Sequence, residues 1–163
     1  MKRIENLYEI IEKENIVYEE SDLSKLQAKG IYVNLNEIRP FIAIDISIVN
    51  NPSTYLSILS EELGHHFTTS GNLISPSKSY MDKLIKNKSE NLARKWAANF
   101  LITDEEFVQA LTSSIHNIYD MCDYFNVTDE IVKFKINSIL KDEIKYHKIK
   151  SILNEFQYDL CNI

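Results

Sequence analysis

The run Ile58-Leu59-Ser60-Glu61-Glu62-Leu63-Gly64-His65-His66-Phe67 gathers residue types that can do chemistry into one short stretch. Four residues advance a helix by about 400°, so Glu61 and His65 would lie one turn apart on one face, close enough to hold a metal ion between them. Glu62, one step further round, would stand beside that ion, where a carboxylate can take a proton from a water molecule that the ion polarises. This is the layout of the zinc-peptidase string His-Glu-x-x-His, with Glu61 in place of the first His. Pairing Glu62 with His66 would put Leu63 at the base position, so the chemistry selects the first register. The same string also fits a plain amphipathic helix. Leu56, Leu59, Leu63 and Phe67 would form its apolar stripe and Glu61, Glu62 and His65 its solvated face, with Glu62 and His66 an ordinary i, i+4 pair. Two residues speak against that: Ile58 shares the Glu61 and His65 side, and Gly64 inside a helix costs about 1 kcal/mol unless something approaches its backbone closely.

A hydrolytic zinc site needs three protein ligands and an open position, so a third group must come from elsewhere. Glu90 is the candidate. It heads the run Glu90-Asn91-Leu92-Ala93-Arg94-Lys95-Trp96-Ala97-Ala98-Asn99-Phe100-Leu101, in which Glu90, Ala93, Ala97 and Leu101 share a helix face. Small residues let a second helix come near, and a carboxylate in such a seam is costly unless paired or bound to metal. A solvated carboxylate favoured by the helix dipole is the competing reading of Glu90.

These residues need elements to hold them. Ile4, Leu7, Tyr8 and Ile11 follow helical spacing up to a break at Glu14-Asn15. Ile16-Val17-Tyr18, Gly30 to Val33 and Phe41 to Ile48 are β-branched and aromatic runs, which predicts a small two- or three-stranded sheet. After the turn cluster at Asn50 to Ser53, a helix is expected over Tyr55 to Phe67, then a loop from Ser70 to Ser79 and a long helix from about Met81 to Ile102. Thr103 with Glu106 forms a capping-box pattern, and helical spacing continues to Phe156 with Thr128 as a further cap. Trp96, Phe100, Phe107, Tyr119, Tyr124 and Phe125 are expected in the core. Lys133, Lys135, Lys141, Lys145, Lys148 and Lys150 are expected on a solvated surface.

Composition agrees with a helical reading. The chain has 163 residues, 44% of them hydrophobic, and only 3 Gly and 3 Pro, too few for a turn-rich sandwich or barrel. The fold class expected is α+β and predominantly helical, the sheet packed on a zincin-like helical core over residues 1–103, with a helical C-terminal segment over 104–163. Lys+Arg 18 against Asp+Glu 24 leaves a net charge of −6, which opposes direct nucleic-acid binding. With no apolar run long enough for a signal peptide or a bilayer span, a cytoplasmic protein without membrane contact is expected. Cys122 and Cys161 are read as buried reduced thiols.

Taken together, Ile58 to Thr69 and Glu90-x-x-Ala93-x-x-Trp96-Ala97-x-x-x-Leu101-Ile102 resemble the ImmA/IrrE family of metallopeptidases, found on phages and mobile elements. Lys29 to Val33 resembles the family's strand before the motif helix, and Ile118 to Thr128 its helical C-terminal part. The resemblance implies a zinc-dependent peptidase that cleaves a helix-turn-helix repressor and so releases silenced genes. It matches His65 and Glu90 to metal ligands and Glu62 to the general base. Glu61 departs from the usual His. A carboxylate still binds zinc, but two carboxylates and an imidazole would neutralise the dication, so a weaker or more alkaline hydrolase, or one accepting Mn²⁺, is expected. Residues for stabilising an oxyanion are unassigned, with His66 and Tyr80 candidates by type and position. The alternative class is a regulatory protein of peptidase fold that binds a repressor without cutting it.

Overall fold

The computed structural model describes residues 2–35, 38–69 and 79–160, with side chains followed to 155. All but the last residue of the loop expected over 70–79, and Cys161, lie outside the described residues. The first helix, α1 (Lys2–Lys13), buries Leu7 and Ile11 along the face read from spacing. It stops where Asn15 takes a left-handed φ of 55°, a conformation Asn tolerates better than most side chains.

Three strands follow: β1 (Val17–Ser21), β2 (Gly30–Val33) and β3 (Phe41–Asp45), in the sheet order β1-β3-β2. β3 is central, parallel to β1 with Val17 opposite Phe41, and antiparallel to β2 with Gly30 opposite Ile44. Ile42, Ala43 and Ile44 are buried in succession, so both faces of the middle strand are covered. The strand ends earlier than the apolar run predicts. The Asp45 carboxylate accepts the Ser47 N–H at 2.9 Å and the Leu23 N–H at 2.7 Å, which turns Ile46–Ile48 into a 3-10 turn.

Helix α2 (Pro52–Thr68) is capped by Asn51, whose side chain accepts the Thr54 N–H at 3.1 Å, with Pro52 in the first turn where its missing donor is harmless. It packs on the sheet, on α1 and above all on α3 (Tyr80–Leu101). Burial on every side therefore includes Glu61, Glu62 and His65, and the solvated-face reading of this helix does not hold. Gly64 lies at the crossing with α3: a Cβ there would sit 2.4 Å from the Ala93 carbonyl oxygen, so only glycine permits this approach.

The rest is helical: α4 (Asp104–Thr112), α5 (Ile118–Phe125), α6 (Asp129–Leu140) and α7 (Glu143–Leu160). Thr103 and Glu106 form the expected reciprocal cap of α4. Thr128 precedes α6 without a side-chain cap bond; its N–H donates to the Ser57 hydroxyl at 3.0 Å, tying α6 to the middle of α2. One apolar cluster joins Leu7, Ile42, Leu59, Leu63, Leu101, Phe125, Ile131 and Ile149, so sheet and helices share a core.

Three groups of side chains depart from the sequence reading. Tyr119 is 81% exposed and Tyr124 47%, because α5 has one buried face and these rings stand off it. Phe67 is also largely exposed and stacks on Trp96, which stacks on Phe100 with ring centroids 5.0 Å apart in each case. Lys135 is only 1% exposed, its ammonium bonded to Asp104 at 2.5 Å and Asn99 at 3.0 Å. It is a buried charge linking α3, α4 and α6.

Candidate metal centre

The α2–α3 crossing brings Glu61, His65 and Glu90 together. Each offers one ligand atom, and the three atoms lie within 4.8 Å of one another. Glu61 and His65 come from successive turns of α2, as their spacing demands, and Glu90 reaches over from α3 just before the Gly64–Ala93 contact. Without that close contact the two helices would stand too far apart for a short carboxylate to reach His65.

His65 is oriented from behind. Its Nδ1 shares a hydrogen bond of 3.2 Å with the Thr69 hydroxyl, which in turn bonds Ser89 at 2.6 Å. This leaves Nε2 for the site, where it stands 3.5 Å from Glu90 Oε2. That distance matches the roughly 3.4 Å edge of a tetrahedron built on bonds of about 2.1 Å, and one imidazole nitrogen with two carboxylate oxygens is a donor set that zinc and manganese both accept. The residues present therefore fit a divalent cation.

Glu62 is buried between α2 and β2. A Cβ on Gly30 would lie 2.5 Å from its Oε1, so the glycine at the start of β2 is what makes room for the carboxylate. Burial first, then the Glu61 and Glu90 carboxylates, push Glu62 up to about 8, against the opposing pull of Arg94 and of the Tyr32 N–H that it accepts. A carboxyl poised near neutrality is suited to general acid–base work. Burial also raises Glu61, with Arg94 opposing, whereas Glu90 is held below the usual carboxylate range, chiefly by its bond to His65.

Arg94 escapes sequence reasoning. Its Nε donates to Glu61 Oε1 at 2.7 Å, one terminal nitrogen stands 3.9 Å from Glu90 Oε2, and the other is 3.0 Å from Glu130 Oε1 on α6. The guanidinium also lies 6.0 Å from the centre of the Phe134 ring. Its position one turn after Glu90 was the available signal, but the partner that matters is 33 residues away. Thr69 carried a similar signal, one turn after His65. His66 does not pair with Glu62: its Nδ1 meets the Tyr32 hydroxyl at 3.0 Å and its Nε2 the Glu14 carboxylate at 3.5 Å. Tyr80 stands 73% exposed at the start of α3.

A crossed pair of helices carrying Glu-Glu-x-x-His and a later Glu, beside a small mixed sheet, is the layout of a zincin-like peptidase fold. The family model for the IrrE N-terminal-like domain matches residues 11–137, and the chain belongs to that ImmA/IrrE family of peptidases. No curated protein and no solved structure matches it significantly.

Proposed function

We propose that the chain is a metal-dependent peptidase in which Glu61, His65 and Glu90 hold zinc, or a harder ion such as Mn²⁺, and Glu62 is the general base. The observation that carries this reading is the meeting of three donor atoms from two helices within 4.8 Å, beside the buried Glu62 carboxylate. When bound, the ion supplies Lewis acidity to a peptide carbonyl and to the attacking water. The chain's own residues do the rest. Thr69 fixes the His65 ring, the Tyr32 N–H and the space above Gly30 set the Glu62 carboxylate, and Glu62 takes the proton of the attacking water and passes it to the leaving amine. The substrate proposed is a helix-turn-helix repressor of a phage or mobile element, acted on in the cytoplasm; this rests on the family. Among the described residues no helix is long and apolar enough to cross a membrane, which is compatible with such a target.

One observation favours a second reading, a regulatory protein that binds the repressor without cutting it: the Arg94 ion pair satisfies Glu61 without any metal. Metal content separates the two. We expect about one zinc per chain in the parent, lost in Glu61→Ala, His65→Ala and Glu90→Ala, and repressor cleavage lost but zinc kept in Glu62→Gln. A parent that takes up neither zinc nor manganese on reconstitution overturns the hydrolase reading.

A further inference from the structure

Two carboxylates and a neutral imidazole place two negative charges around the candidate ion, one more than a site of two imidazoles and a carboxylate would. Arg94 is the cation that stands against this excess. It bonds Glu61 through one oxygen at 2.7 Å, leans toward Glu90 at 3.9 Å, and is itself held from behind by Glu130 at 3.0 Å and by the face of Phe134. A carboxylate has a second oxygen to offer, so the bond to Nε orients Glu61 without using up its ligating capacity.

We propose that Arg94 is a positioning residue that makes Glu61 serviceable as a metal ligand: its bond fixes the Glu61 carboxylate, and the guanidinium charge is thereby directed at that carboxylate and away from the ion. Arg94 offsets part of the charge of the two carboxylates, while Glu130 takes up part of the guanidinium's own from the far side. The expected loss of acidity at a doubly anionic site is to that extent reduced. A guanidinium is suited to this role because it stays charged beside a dication and holds a carboxylate in a fixed geometry. Glu61 and Arg94 thus form one functional unit drawn from α2 and α3, and neither substitution is neutral without the other.

The inference rests on the metal-site reading above, and its test separates the two. Zinc affinity of the full chain is measured by competition with a chromophoric chelator for the parent, Arg94→Gln, Glu61→His and the double variant, with circular dichroism reporting folding. Arg94→Gln should weaken zinc binding about 10–100-fold, the usual effect of removing a group that orients a ligand. Glu61→His alone should also weaken it, since a guanidinium that has lost its Glu61 partner then faces the ion. The double variant should recover the parent affinity, a rescue that a merely structural arginine would not produce. Should Arg94→Gln fail to fold, the comparison of Glu61→His with the double variant decides alone. Arg94→Gln binding zinc as tightly as the parent or more tightly, or Glu61→His matching the double variant, overturns the inference and leaves the metal site standing. A parent that binds no zinc removes both.

Discussion

At the scale of single residues, the site depends on two glycines whose missing side chains are functional. Gly64→Ala would set a Cβ 2.4 Å from the Ala93 carbonyl, against backbone that cannot rotate away. We expect it to cost about 1–3 kcal/mol, as overpacking does, and to weaken metal uptake by forcing α2 and α3 apart. Chemical denaturation and chelator competition check both halves of this expectation. Gly30→Ala would crowd Glu62 Oε1 and Ile58 instead, touching the candidate base and none of the three ligand residues. It should lower peptidase activity well below the parent's while leaving zinc affinity near it, a split read from kinetics beside a metal titration. Residue-scale legibility was uneven. The Glu61–His65 spacing followed from helical geometry, since it concerns neighbours one turn apart, and the close approach at Gly64 from the cost of a glycine inside a helix. Arg94 did not, because its decisive partner lies on another helix and a lone arginine after Glu90 reads as an i, i+4 pair.

At the scale of elements, the helical C-terminal part is joined to the rest by buried charge as well as by apolar contact. Asp104 at the head of α4 accepts from Lys135 of α6 at 2.5 Å and from Lys145 of α7 at 2.9 Å. Removing one partner leaves a buried ammonium poorly compensated, so Asp104→Ala should destabilise the protein by about 3 kcal/mol, whereas Lys135→Met, which keeps volume and removes the charge, should cost much less. Burial raises the Asp104 carboxyl, but the two lysines outweigh it and hold it below its ordinary value of 3.8. The stability this supplies is fully present above that value and is lost as pH falls through the lowered native one. Urea titrations of parent and Asp104→Asn across the acid range should therefore show a shallower acid loss in the variant. Element boundaries were legible where the signal was local: the Asn51 and Thr103 caps, and the end and apolar face of α1. They were lost where a distant side chain intervened, as when Asp45 captured the Leu23 and Ser47 N–H groups and cut β3 short. The burial of Lys135 was hidden for the same reason, its partners Asn99 and Asp104 lying more than 30 residues earlier in the chain.

At the scale of the whole molecule, α2 is the element shared by the sheet, α1, α3 and α6. The sheet covers one side, α3 another, and α6 reaches it through the bond from Thr128 to Ser57. The fold class was readable from composition and spacing because a chain so poor in Gly and Pro must bury its apolar stripes helix against helix. How the C-terminal helices bear on the chemistry was not, because Glu130 reaches the site through Arg94, a partner on another helix. Glu130→Gln should accordingly loosen zinc binding, by less than Arg94→Gln does, in the same competition assay.

The crossing at Gly64 and Ala93 has a thermodynamic consequence. The donor atoms hang from two helices that meet only in the folded chain, so an unfolded chain has nowhere comparable to place a cation. On the metal-site reading proposed above, metal availability would then control how much folded protein exists. At a free ion concentration about 100 times the dissociation constant, mass action adds about 2.7 kcal/mol to the unfolding free energy. The melting temperature should climb with added zinc in the parent and stay flat in His65→Ala, and in a cell short of metal the protein would turn over faster, its abundance following the ion it carries.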